Sequence, residues 1–202
     1  LGDLQRDILL RFRGGSAKMR RADDIGMTEQ HVRRRRLFRK NVEGRARDMA
    51  AVERRTQRLP LPRIDRVVVH KAQRRLELLR GGEVLRSYKV ALGQQPRGHK
   101  EREGDFRTPE GHYQLTRRNP RSDYFLSILV SYPNDADVQR ATANGWRPGG
   151  AIMIHGHPNL LKHDRAWYAR NDWTDGCIAV SNADMVEIWL LTPANTPIDI
   201  LP

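Results

Sequence analysis

The sequence predicts a mainly β fold: a sandwich-like assembly of mixed sheets with two or three short helices. A basic N-terminal extension, partly helical or disordered, precedes it. Three observations lead there. From Arg63 onward the apolar residues alternate over short segments instead of recurring at helical spacing. Glycine and proline turns separate those segments. The charge excess also falls away at Leu59-Pro60-Leu61-Pro62, which divides an extension, 1–62, from a patterned domain, 63–202.

The elements follow in chain order. Thr28 to Arg58 predicts a basic helix with a ragged apolar stripe of Phe38, Val42, Ala46, Met49 and Val52, interrupted by Gly44. Arg66–His70 contains the β-branched run Val67-Val68-Val69 and reads as a strand. Leu76–Leu79 and Glu83–Leu92 flank Gly81-Gly82, a pair suited to a tight hairpin turn. In the second arm Val84, Tyr88, Val90 and Leu92 share a face, broken by Arg86. A charged, glycine-rich loop from Gly93 to Gly111 precedes a short strand around His112–Thr116. Phe125–Tyr132 is a strand with Leu126, Ile128, Val130 and Tyr132 on one side. Asn134 caps a helix running to Asn144-Gly145. Ala151–His155 is a buried strand, and Cys177–Val180 another, after a Thr-Asp-Gly turn. Ser181 and Asp184 form an acidic capping box for a helix over Ala183–Leu191, with Trp189 on its buried face. Ile198–Leu201 closes the domain.

The 202 residues carry a formal charge of +13. Residues 1–62 hold 17 basic and 8 acidic side chains, with Arg33-Arg34-Arg35-Arg36 the densest run and only Phe12 and Phe38 as aromatic residues. Such charge attracts a polyanion, an anionic wall polymer or a membrane surface; a solvated extension is the simpler account. No zinc-finger spacing or aromatic RNA-binding signature accompanies it, so no specific nucleic-acid module is expected. No apolar run approaches the roughly 18–20 residues of a membrane helix. Ile8-Leu9-Leu10, followed by Arg11, is too short for a secretory signal, and the sequence opens with Leu rather than Met. One cysteine excludes an internal disulfide framework and multi-cysteine metal sites.

That cysteine, Cys177, follows Gly176 inside Trp173-Thr174-Asp175-Gly176-Cys177-Ile178. A cysteine attacks as thiolate, and a histidine is the usual base. His155, 22 positions upstream, ends an apolar strand and precedes Gly156, a natural rim position for a base. Glycine before the nucleophile permits a sharp turn, bringing a carbonyl oxygen near backbone amides that stabilise an oxyanion. A buried, inert thiol is the bland alternative.

Ile154-His155-Gly156 followed by Thr174-Asp175-Gly176-Cys177-Ile178 resembles the active-site signature of YkuD-type L,D-transpeptidases. Gly104-Asp105-Phe106-Arg107-Thr108-Pro109-Glu110-Gly111 is similar to another segment of that family. Ser131-Tyr132-Pro133-Asn134 and Cys177-Ile178-Ala179-Val180-Ser181-Asn182 resemble a proteobacterial branch of it. The resemblance covers Ile64 to Leu201. It implies that residues 63–202 are a catalytic domain acting on peptidoglycan stem peptides of the meso-diaminopimelate type. Cys177 would form a thioester with release of D-alanine, and an acceptor amine would resolve it. His155 would carry the protons, the Gly156 carbonyl would orient the imidazole, and amides at Gly176 and Cys177 would hold the oxyanion. It also implies no cofactor, acylation by carbapenems, and a place in the cell envelope, the periplasm of a Gram-negative bacterium. Three departures stand out: Asp175 where the family usually has a second histidine, Ala179 in place of a common arginine, and a loop of 18 residues between His155 and Thr174. An L,D-carboxypeptidase or amidase on the same fold, and a non-catalytic wall- or polyanion-binding protein, remain open.

Around this pair, Tyr132, Arg170, Trp173, Thr174 and Asp175 are candidate substrate-binding residues, each with a packing or solvated alternative. Trp167 and Tyr168 join Trp173 as a cleft wall. His155, His157, His163 and Cys177 invite a zinc reading, but ligation would occupy the thiolate, so no metal is expected. The pairing with His155 predicts a thiol at Cys177 that alkylates faster than a free thiol.

Overall fold

The computed structural model describes residues 29–56 and 61–202, with the side chains of the first helix described over 36–54. Expectations on Phe12, Ile8-Leu9-Leu10, Thr28, Arg58 and Leu59-Pro60 lie outside the described residues. The described chain falls into two compact units, divided between Glu43 and Gly44.

Helix α1, Glu29–Thr56, runs where the basic stripe predicts it. Of that stripe, Val42, Ala46 and Met49 are buried and Val52 is exposed. Within the second unit, Met49 joins the hydrophobic core. Arg45 donates to Asn159 Oδ1 at 2.6 Å and lies 5.0 Å from the Phe125 ring centre. Glu53 pairs with Arg118 at 2.8 Å.

Eight strands form one sheet: β1 Arg66–His70, β2 Arg75–Arg80, β3 Glu83–Lys89, β4 Gly111–Asn119, β5 Ser127–Val130, β6 Met153–His155, β7 Ile178–Ala179 and β8 Thr196–Leu201. Their spatial order is β3-β2-β1-β8-β4-β5-β6-β7. The pairing is mixed: β1 with β8 and β6 with β7 run parallel, and the other neighbours run antiparallel. The mainly β expectation holds, in the form of a single curled sheet. Its two ends meet, because Ala91 beyond β3 bridges Ala179 in β7 through two 2.8 Å backbone hydrogen bonds. Curling buries one face of a twisted sheet and leaves few unpaired edges.

The β2–β3 turn uses Gly81 and Gly82 at φ +59° and +85°, values that glycine adopts without steric penalty. Val84 departs from its predicted face: the ladder shifts register between Leu78 and Leu79, and the side chain is exposed. The predicted face of β5 holds, with Leu126, Ile128, Val130 and Tyr132 all buried.

Helix α2, Asp135–Ala143, starts at Asn134 with a reciprocal capping box to Asp137. Helix α3, Arg165–Arg170, was not expected; it sits in the long loop after β6, capped by Asp164 accepting from the Trp167 amide. Helix α4, Asn182–Leu191, is capped by Ser181 as predicted and buries Met185, Ile188, Trp189 and Leu191. No described helix is long and apolar enough to cross a membrane.

Candidate active site

The site is built where β6 and β7 lie side by side. Ile154 pairs with Ile178 and His155 with Ala179 in parallel register. Continued back by one residue, this register sets Cys177 beside Met153. The pleat then turns Cys177 and His155 to the same face, one diagonal step apart. On the other side of β6, Ser127 of β5 stands opposite His155. Two residues remote in sequence thus come to share one face of adjacent strands.

His155 is buried, and its Nδ1 lies 2.7 Å from the Gly156 carbonyl oxygen. A carbonyl only accepts, so Nδ1 carries the proton and donates, leaving the Nε2 lone pair as the basic position. Burial lowers the imidazole pKa from 6.5 to about 4; the Gly156 hydrogen bond opposes this and nearby His157 adds to it. Gly156 is fixed in turn: a Cβ there would lie 2.5 Å from Asn182 Oδ1 and 3.0 Å from Phe125 Cβ.

Cys177 is a free cysteine that keeps some solvent exposure. Burial pushes its pKa from 9.0 up to about 11; the Met153 amide donating to sulfur opposes this, and the Asp175 charge adds to it. The thiol donates to the Ala151 carbonyl at 3.6 Å, and Ala151 holds φ +56°, a strained value for a residue with a Cβ. Burial penalises thiolate and imidazolium alike, so it favours the neutral form of each group, opposite in direction to the thiolate enrichment expected from pairing.

The turn before Cys177 is internally wired. Thr174, buried, donates its hydroxyl to the Cys177 carbonyl at 2.8 Å and accepts from the Gly176 amide at 3.2 Å. Gly176 has φ +128°, and a Cβ there would lie 2.6 Å from the Arg107 carbonyl oxygen. The turn before Cys177 is thus seated on the segment 104–111. That segment is anchored by buried Lys71, which donates to Gly98 O (2.6 Å), Thr108 O (2.9 Å) and Glu110 Oε1 (2.8 Å). Asp105 binds Lys100 at 2.7 Å and accepts from the amides of Glu101, Arg102 and Arg107; these contacts override burial and hold its carboxyl below the usual range.

Aromatic rings wall the pair. Tyr124 lies 4.6 Å from the His155 ring and Trp173 lies 5.6 Å from it, and Trp173 also stacks on Tyr124 at 6.1 Å. Tyr168 of α3 meets Trp173 edge-on at 5.0 Å. Burial, then the Cys177 and Asp175 charges, raise the Tyr124 hydroxyl pKa to about 12. Asp175 is half-buried and accepts from Gln94 Nε2 at 3.2 Å.

Other sequence candidates lie elsewhere. Tyr132 is buried in the core and donates its hydroxyl to the Pro148 carbonyl at 2.9 Å. Arg170 is exposed and lines a cleft of about 350 Å³ with Arg74, Lys89 and Asp172, a cleft that includes neither His155 nor Cys177. His163 stacks on Trp167 at 4.0 Å and His157 lies over Tyr168 at 5.3 Å. Among the described residues no group of three or more His, Cys, Asp or Glu is placed to hold a metal ion. Sequence reasoning missed Tyr124, Ser127, Gln94 and Ala151, none of which belongs to a recognisable pattern.

A family profile described as the L,D-transpeptidase catalytic domain (YkuD) matches residues 64–200. The chain belongs to this family. YafK of Escherichia coli K12, an L,D-transpeptidase by provisional name, is 36% identical over 129 residues, 61% of this chain and 45% of YafK. Crystal structures of the helical cell shape determining protein Pgp2 from Campylobacter jejuni share the fold. The K307A mutant superposes with TM-score 0.53 at 27% identity, over 69% of this chain and 47% of Pgp2. The unmutated protein gives 0.52 at the same identity, over 69% of this chain and 48% of Pgp2. The chain spans about half the length of these relatives.

Proposed function

We propose that residues 63–202 are a catalytic domain that transfers peptidoglycan stem peptides through a thioester on Cys177, in the cell envelope of a Gram-negative bacterium. The observation that carries this reading is the placement of Cys177 and His155 on one face of adjacent parallel strands, with the imidazole tautomer set by the Gly156 carbonyl.

The resting pair is neutral, so acylation is general-base catalysis rather than attack by a standing thiolate. Rotation about the cysteine side chain exchanges the weak Ala151 contact for His155 Nε2. The imidazole takes the thiol proton as sulfur attacks the carbonyl of the L-centre–D-centre bond, then returns it to the departing D-alanine amine. The Gly176 amide is already donated to Thr174, which leaves the Cys177 amide as the oxyanion donor at this turn. Trp173 and Tyr124 form the apolar wall along which the stem peptide lies. An acceptor amine then resolves the thioester.

Incubation with purified tetrapeptide-bearing muropeptides, followed by mass spectrometry, tests this. Cross-linked dimers that disappear in Cys177→Ala support transfer. Trimmed tripeptides in their place identify a hydrolase on the same machinery, and neither product removes the enzymatic reading.

A further inference from the structure

Arg45 lies on α1, in the stretch from Gly44 onward that belongs to the same compact unit as the sheet. Its side chain is half-buried. Nη1 donates to Asn159 Oδ1 at 2.6 Å, and the guanidinium carbon lies 5.0 Å from the centre of the Phe125 ring, within cation–π range. The two residues it grips are themselves joined, because the Phe125 amide donates to the same Asn159 oxygen at 3.2 Å. Asn159 completes the clasp: its side-chain amide donates to the Ser122 carbonyl at 2.8 Å and its backbone amide to the Asp123 carbonyl at 2.9 Å.

The clasp holds a bend that does not form freely. Phe125 sits at φ +67°, a left-handed value unfavourable for a residue with a Cβ. His155 depends on that bend in two ways. The Gly156 amide donates to the carbonyls of Tyr124 (3.1 Å) and Leu126 (3.2 Å), the residues on either side of Phe125. Gly156 also packs so closely on Phe125 that an added Cβ would come within 3.0 Å of it. The carbonyl of this same Gly156 accepts from His155 Nδ1, and the Tyr124 ring lies 4.6 Å from the imidazole. The group that selects the tautomer and the ring that walls the imidazole are thus both carried by the bend.

We propose that Arg45 is a positioning residue for His155. By clasping Asn159 and Phe125 it fixes the bend, and through the bend the Gly156 carbonyl and the Tyr124 ring that set the imidazole's tautomer and angle. Arg45 acts only through these neighbours. The inference rests on the reading of His155 as the base in acylation of Cys177. An arginine suits the task, because a planar, always charged guanidinium donates to an amide oxygen and lies against an aromatic ring at the same time. Part of the basic first helix is thereby a brace for the reaction.

Two measurements on the purified chain test this. The first needs no substrate: long-range nitrogen–proton NMR of the imidazoles at neutral pH, with the His155 signals assigned as those missing in His155→Gln. The second is the single-turnover rate of Cys177 acylation by a saturating tetrapeptide donor, a rate constant that does not depend on the fraction of protein folded. In Arg45→Met the two His155 nitrogen signals move towards each other as tautomers mix. The saturated acylation rate falls about tenfold, while the half-saturating donor concentration stays the same. Arg45→Lys, which keeps a cationic donor, restores the signals and part of the rate. Should Arg45→Met fail to fold, Arg45→Gln carries the same two readings. Unchanged imidazole signals, or an unchanged acylation rate beside a lowered melting temperature, overturn the proposal by showing a purely structural contact. Absence of any Cys177 adduct in the unsubstituted chain overturns the thioester reading instead, and the imidazole signals alone then decide whether Arg45 orients the ring.

Discussion

Cys177 is the only cysteine, so its ionisation can be read directly by alkylation. With the thiol pKa raised from 9.0 to about 11, its thiolate population at pH 8 falls roughly a hundredfold, from about 10% to about 0.1%. In free energy the rise amounts to about 3 kcal/mol against the anion. His155 does not offset this, because its own pKa lies near 4 and the ring is neutral at that pH. The assay is iodoacetamide labelling followed by mass, from pH 6 to 11, beside an unstructured cysteine peptide. The labelling rate of Cys177 is expected to lie about two orders of magnitude below the peptide at pH 8, with a midpoint well above that of the peptide. Steric shielding alone would lower the rate at every pH and leave the midpoint in place, so the midpoint carries the test. A midpoint at or below that of the peptide, or faster labelling at neutral pH, means a thiolate–imidazolium pair and refutes the neutral resting state.

Three further outcomes follow from the packing. Gly176→Ala forces a Cβ to within 2.6 Å of the Arg107 carbonyl at φ +128°; a loss of about 2 kcal/mol, roughly 4–8 °C in melting temperature, should appear in a thermal scan. Lys71→Met strands Glu110 and two loop carbonyls, and should destabilise the fold by about 3 kcal/mol in urea unfolding; a neutral effect would show that the loop stands without its anchor. His155 is lowered on folding from 6.5 to about 4, so the unfolded chain binds its proton first as pH falls. Stability from this group is intact above pH 6.5 and declines by about 3 kcal/mol towards pH 4. His155→Gln should flatten that acid limb in denaturation measured across the range, and an unchanged limb would mean that the ring titrates normally.

Strand positions were legible in the sequence because alternation and turn residues are local signals: Gly81-Gly82, the face of β5 and the caps at Asn134 and Ser181 all follow from neighbouring residues. The closure of the sheet was not legible. It depends on Ala91 meeting Ala179, two alanines with no periodicity to mark them. Helix α3 was hidden by its brevity, since one and a half turns show no amphipathic period and only the Asp164 cap announces it. His155 and Cys177 were visible through chemistry and motif. Their neutrality was not, because it arises from burial that only the assembled sheet creates. A strand-end tyrosine fits a cleft or a packed position equally in sequence, and Tyr132 takes the packed one, its hydroxyl held by the Pro148 carbonyl inside the core. Tyr124 and Ala151 carry no sequence signal, and their places are set by the chain's path around β5 and β6.

The proposed transfer requires covalent chemistry at one sulfur atom. Quenching the protein during turnover of a tetrapeptide donor, then weighing it intact and mapping the modified peptide, measures that chemistry directly. Transfer through a Cys177 thioester predicts a mass increase equal to the donor less D-alanine, carried on Cys177 and absent in His155→Ala. Turnover with an unmodified Cys177 at every quench time, or an adduct on another residue, would contradict it.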